Sequence, residues 1–313
     1  MTKHATIMLG DARTRLDEIP EKSVQCCITS PPYWGLRDYG KEQQIGLEQT
    51  PNEYVSELVI VFDAVWRVLK DDGVLWLNLG DSYAGNNSRA SNNGRAGFGT
   101  EREGVFTKTG DGIKPKDLVG IPWRVAFALQ DAGWYLRQDI IWHKPNPMPE
   151  SVTDRCTKSH EYLFLLTKNP TYKFYNEAIK EPAIWATDTR HDKGRLTYEG
   201  KRQGVEGTGQ EAFVSIKETR NKRSVWSIPV KPFRGAHFAV MPEALVLPCV
   251  LASTIEGDTV LDPFTGSGTV AVVAMANNRN FIGTELNPDY ATIAEHRITD
   301  DNPMFNTVTI KQI

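Results

Sequence analysis

The strongest constraint on the fold lies between residues 258 and 285, where a strand, a glycine-rich turn, a helix and a second strand follow one another. Asp258–Leu261 and Asn280–Thr284 are apolar enough for buried strands, and Gly268–Ala276 is an apolar run that predicts the helix between them. Gly266 and Gly268 permit a sharp turn and a close approach of the backbone to a ligand. Such a unit is typical of α/β proteins, in which helices cover both faces of a parallel sheet.

Strands and helices alternate along the rest of the chain as well. Further strands are predicted over Ala5–Leu9, Ser23–Thr29, Gly73–Leu79, Tyr135–His143 and Glu161–Thr167. Helices are predicted over Asn52–Lys70, Asp117–Ala132 and Met241–Ala252, with a final helix from Asn287 to about Ile298. The alternation predicts an α/β fold with a mostly parallel sheet.

Charge is distributed unevenly along the chain. The net charge of −3 gives no overall basic excess, yet residues 186–235 hold eleven Lys or Arg and six Asp or Glu, which leaves this segment at +5. A basic segment fits a nucleic-acid contact, although a charged run is equally typical of a solvated surface. The four cysteines form no Cys-x-x-Cys pair, and no segment is apolar enough for a signal peptide or a membrane span. We therefore expect a cytoplasmic protein with reduced thiols, no metal site and no membrane contact.

The glycine-rich turn, residues 262–268, lacks the Gly-Lys-Ser/Thr of a triphosphate-binding loop. The strand that follows it ends in Glu285, whose carboxylate can accept hydrogen bonds from both hydroxyls of a ribose. S-adenosylmethionine fits this pattern, because it has an adenosine, an amino-acid tail and a sulfonium but no phosphate. A tight turn without a ligand, and an acid merely exposed at a strand end, are the structural alternatives.

Residues 29–34 read Thr-Ser-Pro-Pro-Tyr-Trp and follow a second buried strand. Pro31 and Pro32 fix the backbone, so the carbonyl groups beside them become rigid acceptors. Ser30 adds a hydroxyl and Tyr33 adds an aromatic face. The amino group of a flat heterocycle would meet two converging acceptors here, which would turn its nitrogen lone pair toward a methyl donor. A Pro-Pro strand terminator beside core aromatics is the structural alternative.

Together these segments resemble a known family. Residues 29–33 are similar to the catalytic motif of amino DNA methyltransferases, and residues 262–268 are similar to their S-adenosylmethionine motif. The catalytic motif comes first, as in the circularly permuted β group, so the resemblance implies a permuted, Rossmann-like methyltransferase fold. It assigns catalysis to Ser30, Pro31, Pro32 and Tyr33. It assigns cofactor binding to Asp11, Asp262, Phe264, Thr265, Gly266, Ser267, Gly268 and Glu285, with a simple turn aspartate as the alternative for Asp11.

Ser30 predicts the methyl acceptor. Adenine-N6 members of this family usually have Asp or Asn at this position, whereas serine resembles the cytosine-N4 enzymes. We expect transfer to the exocyclic N4 of a flipped cytosine in duplex DNA, with adenine N6 as the alternative at the same site. An RNA or protein-glutamine methyltransferase and a non-catalytic DNA-binding module are the remaining alternatives. The former typically shows Asn-Pro-Pro-Tyr after its cofactor motif.

The segments outside both motifs are assigned to DNA recognition. We predict a catalytic part over residues 1–184 with a mobile loop at 85–116, a target-recognition insert at 185–235, and a cofactor-binding part of the same domain at 236–313. Phosphate contacts are predicted for Lys217, Arg220, Lys222 and Arg223. The expected partner is double-stranded DNA; a homodimeric state and a cognate restriction endonuclease are left open.

Overall fold

The computed structural model describes residues 3–36, 38–41, 43–84, 112–183, 218–230, 240–302 and 306–312. Most of the loop predicted at 85–116, most of the insert predicted at 185–235, and Lys217 lie outside the described residues. The chain divides into two compact units, one of Met1–Phe174 with Ser224–Ile313 and one of Tyr175–Arg223. The predicted insert overlaps the second unit without coinciding with it, and its role stays a prediction.

The described residues form the following elements. The strands are β1 (Lys3–Leu9), β2 (Val24–Thr29), β3 (Leu69–Leu79), β4 (Tyr135–His143), β5 (His160–Thr167), β6 (Glu181–Pro182), β7 (Thr219–Arg220), β8 (Val225–Ser227), β9 (Thr259–Asp262), β10 (Asn280–Glu285) and β11 (Asn306–Lys311). The helices are α1 (Ala12–Arg15), α2 (Pro51–Val68), α3 (Ile121–Asp131), α4 (Glu243–Ser253), α5 (Thr269–Ala276) and α6 (Pro288–Asp301). Short 3₁₀ turns lie at Leu16–Glu18 and Asn176–Ile179.

Nine of these strands form the sheet of the larger unit, in the order β11-β1-β10-β9-β2-β3-β5-β4-β8. β5 is antiparallel to its neighbours β3 and β4, and all other neighbouring pairs are parallel. β6 and β7 form a separate antiparallel pair in the smaller unit. The mostly parallel sheet predicted from the sequence is therefore confirmed.

Helices cover both faces of the large sheet. On one face, α2 and α3 pack together over a core that includes Cys27, and on the other face α4 packs against β2 and α5. Trp76 of β3 is buried on the α4 side, where its indole nitrogen donates to the Ser253 hydroxyl at 2.7 Å. α2 begins with a capping box, in which the Thr50 hydroxyl and the Glu53 carboxylate each accept from the other residue's backbone N–H. No described helix is both long and apolar enough to cross a membrane.

The sheet brings the ends of distant segments to one edge. β2 and β9 are adjacent and parallel, so the residues that follow each of them emerge side by side. β1, β3, β4 and β10 run in the same direction, and antiparallel β5 contributes its amino end to this edge. Ligands of open α/β sheets bind at the carboxyl ends of the strands, which makes this edge the place to look for a site.

Some element boundaries differ from those predicted. The helix expected from Asp117 begins at Ile121, because Asp81 Oδ1 accepts from the backbone N–H groups of Gly120 and Ile121 at 2.9 and 3.0 Å and so caps this helix. The final helix begins as predicted, with the Asn287 side chain accepting from the Asp289 N–H, but it continues to Asp301. β8 and β11 were not predicted, because β8 has only three residues and the alternation of β11 contains only two apolar residues, Val308 and Ile310.

Candidate active site

A cavity of about 590 Å³ opens at the carboxyl edge of the sheet, entirely within the larger unit. Both sequence motifs line it: Ser30, Pro31, Pro32 and Tyr33 after β2, and Asp262, Phe264, Thr265, Gly266 and Ser267 after β9. Asp11 after β1 and Glu285 at the end of β10 complete the wall on one side, and residues around β3, β4 and β5 complete it on the other. Two motifs more than 230 residues apart in sequence therefore share one cavity, as a methyl-transfer site requires.

The glycine-rich turn packs tightly against its neighbours. Gly268 has φ +77°, and a Cβ there would lie only 2.8 Å from the Cβ of Ala294 in α6, so no larger residue fits. The backbone N–H of Thr265 donates to the Thr284 carbonyl at 3.0 Å, and a Cβ at Gly283 would overlap the Thr265 hydroxyl. The turn is thus packed directly on β10 and α6.

Glu285 connects the end of β10 to this turn. Its Oε2 accepts from the backbone N–H of Gly266 at 2.7 Å, and its Oε1 accepts from that of Asn287 at 2.8 Å. The residue is only 9 % exposed, and burial raises the pKa of its carboxyl. Each oxygen keeps a lone pair for a ligand, so Glu285 is placed to bind a ribose, although that role stays a prediction.

Asp262 links the two motifs directly. Its Oδ1 accepts from the Thr29 hydroxyl at 2.6 Å and from the backbone N–H of Phe264 at 3.0 Å. Thr29 is the last residue of β2, so this hydrogen bond fixes the catalytic motif against the glycine-rich turn. Burial raises the pKa of Asp262 to about 7, and the nearby charge of Glu285 acts in the same direction.

Arg297 supports the turn from α6 and was missed in the sequence. Its Nη1 donates to the Ser267 carbonyl at 2.6 Å, to the Ser267 hydroxyl at 2.9 Å and to the Thr269 hydroxyl at 3.1 Å. Burial lowers the pKa of its guanidinium, although arginine side chains remain protonated in proteins. The sequence contains no sign of this contact, because Arg297 reads there as an ordinary surface residue of a helix.

Asp11 has a structural role in addition to its place on the cavity wall. Its Oδ1 accepts from the backbone N–H of Arg13 at 2.9 Å and caps α1, and its carboxylate forms an ion pair with the Arg13 guanidinium. Arg13 also pairs with Glu57 on α2. The turn role that the sequence left as the alternative is present, and a contact of Asp11 with an adenine amine stays a prediction.

The backbone of the catalytic motif is anchored by Tyr54 of α2, whose hydroxyl donates to the Pro32 carbonyl at 2.9 Å. We expected the carbonyl groups around both prolines to face a ligand as acceptors. The Pro32 carbonyl instead fixes the loop to α2. Ser30 and Pro31 also line the cavity, so the Ser30 hydroxyl and the Pro31 carbonyl remain the candidate acceptors for an amine.

Tyr33 is fixed at both its ring and its hydroxyl. The hydroxyl donates to Glu161 Oε2 at 2.7 Å and accepts from the Ser30 hydroxyl at 3.3 Å. The ring packs so closely on Gly80 that a Cβ there would lie 2.5 Å from Tyr33 Cε2. Burial, reinforced by the Glu161 charge, raises the pKa of the Tyr33 phenol well above its usual range. Tyr33 is therefore a neutral, immobile aromatic surface.

Glu161 belongs to a polar cluster that the sequence did not reveal. Its Oε1 pairs with Lys144, whose ammonium also lies 4.4 Å from the Trp142 ring centroid. Asn78 of β3 is fully buried and donates to Glu161 Oε2 at 3.3 Å and to the Tyr162 carbonyl at 3.0 Å. The cluster arises from the pairing of β3 with antiparallel β5, which no local pattern specifies.

The residues predicted to contact phosphates lie outside the larger unit. Arg220 and Arg223 both donate to Glu181 Oε1, at 2.9 and 2.7 Å. Lys222 stands between them in sequence, and Lys217 lies outside the described residues. Both guanidinium groups are thus held by one carboxylate, and the DNA contact stays a prediction.

Comparison with known proteins agrees with this geometry. A DNA methylase family model, N6_N4_Mtase, matches residues 24–296. The chain is 49 % identical over 300 residues to the type II methyltransferase M.XycI of Xanthomonas campestris pv. cyanopsidis, and the match covers 95 % of this chain and 89 % of that relative.

Two solved structures have the same fold. TTHA0409 from Thermus thermophilus, solved in complex with S-adenosyl-L-methionine, aligns with a TM-score of 0.62 at 22 % identity and 98 % coverage of both chains. PvuII DNA methyltransferase, named as cytosine-N4-specific, aligns with a TM-score of 0.63 at 18 % identity, covering 99 % of this chain and 96 % of that one. The predicted Rossmann-like methyltransferase fold is confirmed. This chain belongs to the N6/N4 DNA methylase family and is an S-adenosylmethionine-dependent DNA methyltransferase.

Proposed function

We propose that this protein transfers a methyl group to the exocyclic N4 of a cytosine that has been flipped out of duplex DNA. The observation that carries the proposal is the 2.6 Å hydrogen bond from the Thr29 hydroxyl to Asp262. It holds the Ser30-Pro31 acceptors and the glycine-rich turn on one cavity, so that a methyl donor on one side would face an amine on the other.

The cofactor side is the wall formed by the turn and β10. Asp262, Phe264, Thr265, Gly266, Ser267 and Gly268 would surround the amino-acid part of S-adenosylmethionine, Glu285 would hold the ribose, and Asp11 would accept from the adenine amine. The buried carboxylates of Asp262 and Glu285 suit this ligand, because its ammonium and sulfonium would offset the cost of their burial. When bound there, S-adenosylmethionine supplies an electrophilic methyl group.

The acceptor side is the wall formed by the catalytic motif. The Ser30 hydroxyl donates to Tyr33, which leaves its oxygen free to accept one N–H of an exocyclic amine. The Pro31 carbonyl would accept the other N–H. With both hydrogens held, the nitrogen lone pair is directed away from the ring plane and toward the cofactor side. The fixed ring of Tyr33 offers a surface for the base to stack on.

Serine at position 30 favours cytosine over adenine as the acceptor, and the name of the PvuII enzyme, which has the same fold, agrees with this choice. The cavity lies at the carboxyl edge of the sheet, so a base inside a duplex could not reach it without leaving the stack. Arg220, Lys222, Arg223 and Lys217 are proposed to contact DNA phosphates, and residues 185–235 to read the target sequence. The type II relatives support a restriction-modification setting with a cognate endonuclease.

One experiment tests the proposal. The protein is incubated with tritiated S-adenosylmethionine and genomic DNA from a strain without methyltransferases, and the DNA is digested to nucleosides for mass spectrometry. We expect N4-methylcytosine. N6-methyladenine would reassign the acceptor at the same site, and an unmodified nucleoside profile would reject DNA methylation by this chain. Ser30→Ala, which should still bind the cofactor, is the matched negative control.

A further inference from the structure

Lys158 lies on the wall of the active-site cavity and has no hydrogen-bond or ion-pair partner among the described residues. It lies two residues before β5, and its Nζ is buried. No described residue accepts a hydrogen bond from this nitrogen, and no described carboxylate lies within 4.0 Å of it. Neither the sequence motifs nor the family resemblance assigns it a role.

An unpaired buried ammonium is costly, because it loses water without gaining an acceptor. The cost is visible here, since burial lowers the pKa of Lys158 below its usual value. A group in this position reduces stability unless a ligand completes its hydrogen bonds. Its presence on a cavity wall therefore points to a ligand that brings hydrogen-bond acceptors.

The acids around Lys158 are either paired with another cation or lie beyond ion-pair distance from it. Glu161 is paired with Lys144 and accepts from Tyr33. Glu150 is paired with Arg155. Asp81, whose Oδ1 accepts from three backbone N–H groups, exerts an attraction on Lys158 but forms no contact with it. The missing acceptor must therefore come from outside the described residues.

We propose that Lys158 donates a hydrogen bond to an acceptor atom on the ring of the extruded base, and so positions the exocyclic amine of that base against Ser30 and Pro31. This inference rests on the proposed function. An ammonium carries only donors, whereas the Ser30 and Pro31 oxygens can receive the amine hydrogens. A cytosine offers both kinds of partner, since its N4 carries two N–H groups and its N3 and O2 are acceptors. The acceptors of Ser30 and Pro31 would therefore bind the amine of the base, and the donor of Lys158 would bind a ring acceptor of the same base.

Lys158 is a positioning residue in this proposal, so its loss should affect turnover more than duplex binding. We expect Lys158→Met to lower kcat about 10- to 100-fold, as for the loss of one hydrogen bond to a charged group, with unchanged affinity for S-adenosylmethionine and little change in KM for DNA. Lys158→Arg should recover part of the rate. The matched control is Lys173→Met, which removes a half-exposed lysine paired with Asp72 at the opposite edge of the sheet, and it should leave kcat unchanged.

Salt dependence and base analogues identify the acceptor. A contact to phosphate would reduce the slope of log affinity against log salt by about one in Lys158→Met, whereas a contact to the base leaves that slope unchanged. Target duplexes in which the methylated base lacks either N3 or the 2-keto oxygen complete the test. With one of these two analogues, the wild-type protein should have a lower kcat than with the unmodified duplex. The kcat of Lys158→Met should be the same with that analogue as with the unmodified duplex.

Three results would overturn the inference. They are an unchanged kcat in Lys158→Met, a reduced salt slope with a normal kcat, or a kcat of Lys158→Met that falls on both analogues as much as that of the wild-type protein. Weakened cofactor binding in Lys158→Met would assign the residue a structural role instead. These outcomes differ from failure of the proposed function, in which the wild-type protein itself would leave DNA unmethylated.

Discussion

Replacing Asp262 with asparagine removes one buried charge while keeping the local geometry. The amide oxygen of asparagine can still accept from the Thr29 hydroxyl and from the Phe264 N–H, so the connection between the two motifs should survive. What changes is the ability of this position to release a proton. The variant therefore separates the electrostatic role of Asp262 from its structural role.

The size of the effect on stability follows from the pKa. Burial raises the pKa of Asp262 from 3.8 to about 7, so between these pH values the folded protein holds a proton that the unfolded chain has released. The contribution of this group is fully present below pH 3.8 and is lost as pH rises through 7. At 1.36 kcal/mol per pKa unit, the loss amounts to about 4 kcal/mol of the free energy of unfolding. Asp262→Asn should lack this loss and be more stable than wild type above pH 7.

Cofactor binding should show the opposite dependence on pH. A ligand with a sulfonium and an ammonium favours the ionised carboxylate, so its affinity for wild type should rise with pH up to about 7 and binding near pH 6.5 should release protons. Calorimetry in two buffers with different ionisation enthalpies measures this release. Asp262→Asn should bind more weakly and release fewer protons, whereas Asp300→Asn, at an exposed position of α6, should behave as wild type.

Denaturant unfolding across pH 5 to 8 provides the independent check. The reasoning would be refuted if wild type and Asp262→Asn lost stability in parallel over this window. It would also be refuted if wild type bound S-adenosylmethionine with pH-independent affinity and no proton release.

Three further predictions concern the two motifs. Ser30→Ala should lower methyl transfer by about 100-fold, a loss typical of one oriented polar group, with cofactor affinity unchanged by calorimetry; near-normal transfer would remove Ser30 from the site. Tyr33→Phe keeps the ring but loses the 2.7 Å hydrogen bond to Glu161, so kcat should fall about 10-fold while the cofactor still binds, and an unchanged kcat would count against a role for this bond. Gly268→Ala places a Cβ 2.8 Å from that of Ala294, so it should cost about 1–3 kcal/mol of unfolding free energy and weaken cofactor binding; unaltered thermal unfolding would contradict the packing described here.

The central strands and the juxtaposition of the motifs were predictable because local signals specify them. β2, β9 and β10 are short apolar runs that end in polar or glycine-rich turns, and parallel pairing then brings their carboxyl ends together. β8 was missed because it has only three residues, and β11 was missed because its alternation contains only two apolar residues, Val308 and Ile310. An edge strand forms by pairing with another strand of the sheet, and that partner is distant in sequence, so local sequence patterns do not reveal it.

Side-chain partners across the site could not be predicted in the same way. The Tyr54 contact to the Pro32 carbonyl depends on how α2 packs on the catalytic loop, and Tyr54 reads in the sequence as an ordinary core position of an amphipathic helix. Arg297 reads as an ordinary surface residue of α6 until its contacts with Ser267 are seen. Such interactions depend on tertiary packing, which local periodicity does not encode.

The antiparallel strand β5 explains why the two walls of the cavity differ in charge. Parallel strands supply the cofactor wall, where the buried carboxylates of Asp262 and Glu285 have no cationic partner among the ion pairs of the described residues. β5 presents its amino end instead, which adds Glu161 and the preceding Lys158 to the opposite wall, and Lys144 already neutralises Glu161. The two walls therefore differ in the charged groups that lack an ion-pair partner among the described residues: two carboxylates on the cofactor wall, and the Lys158 ammonium on the acceptor wall, where Asp81 also lies. In the proposed function, a cationic methyl donor would lie against the two carboxylates and a base with ring acceptors against Lys158, so the reversal of a single strand would contribute to the direction of transfer.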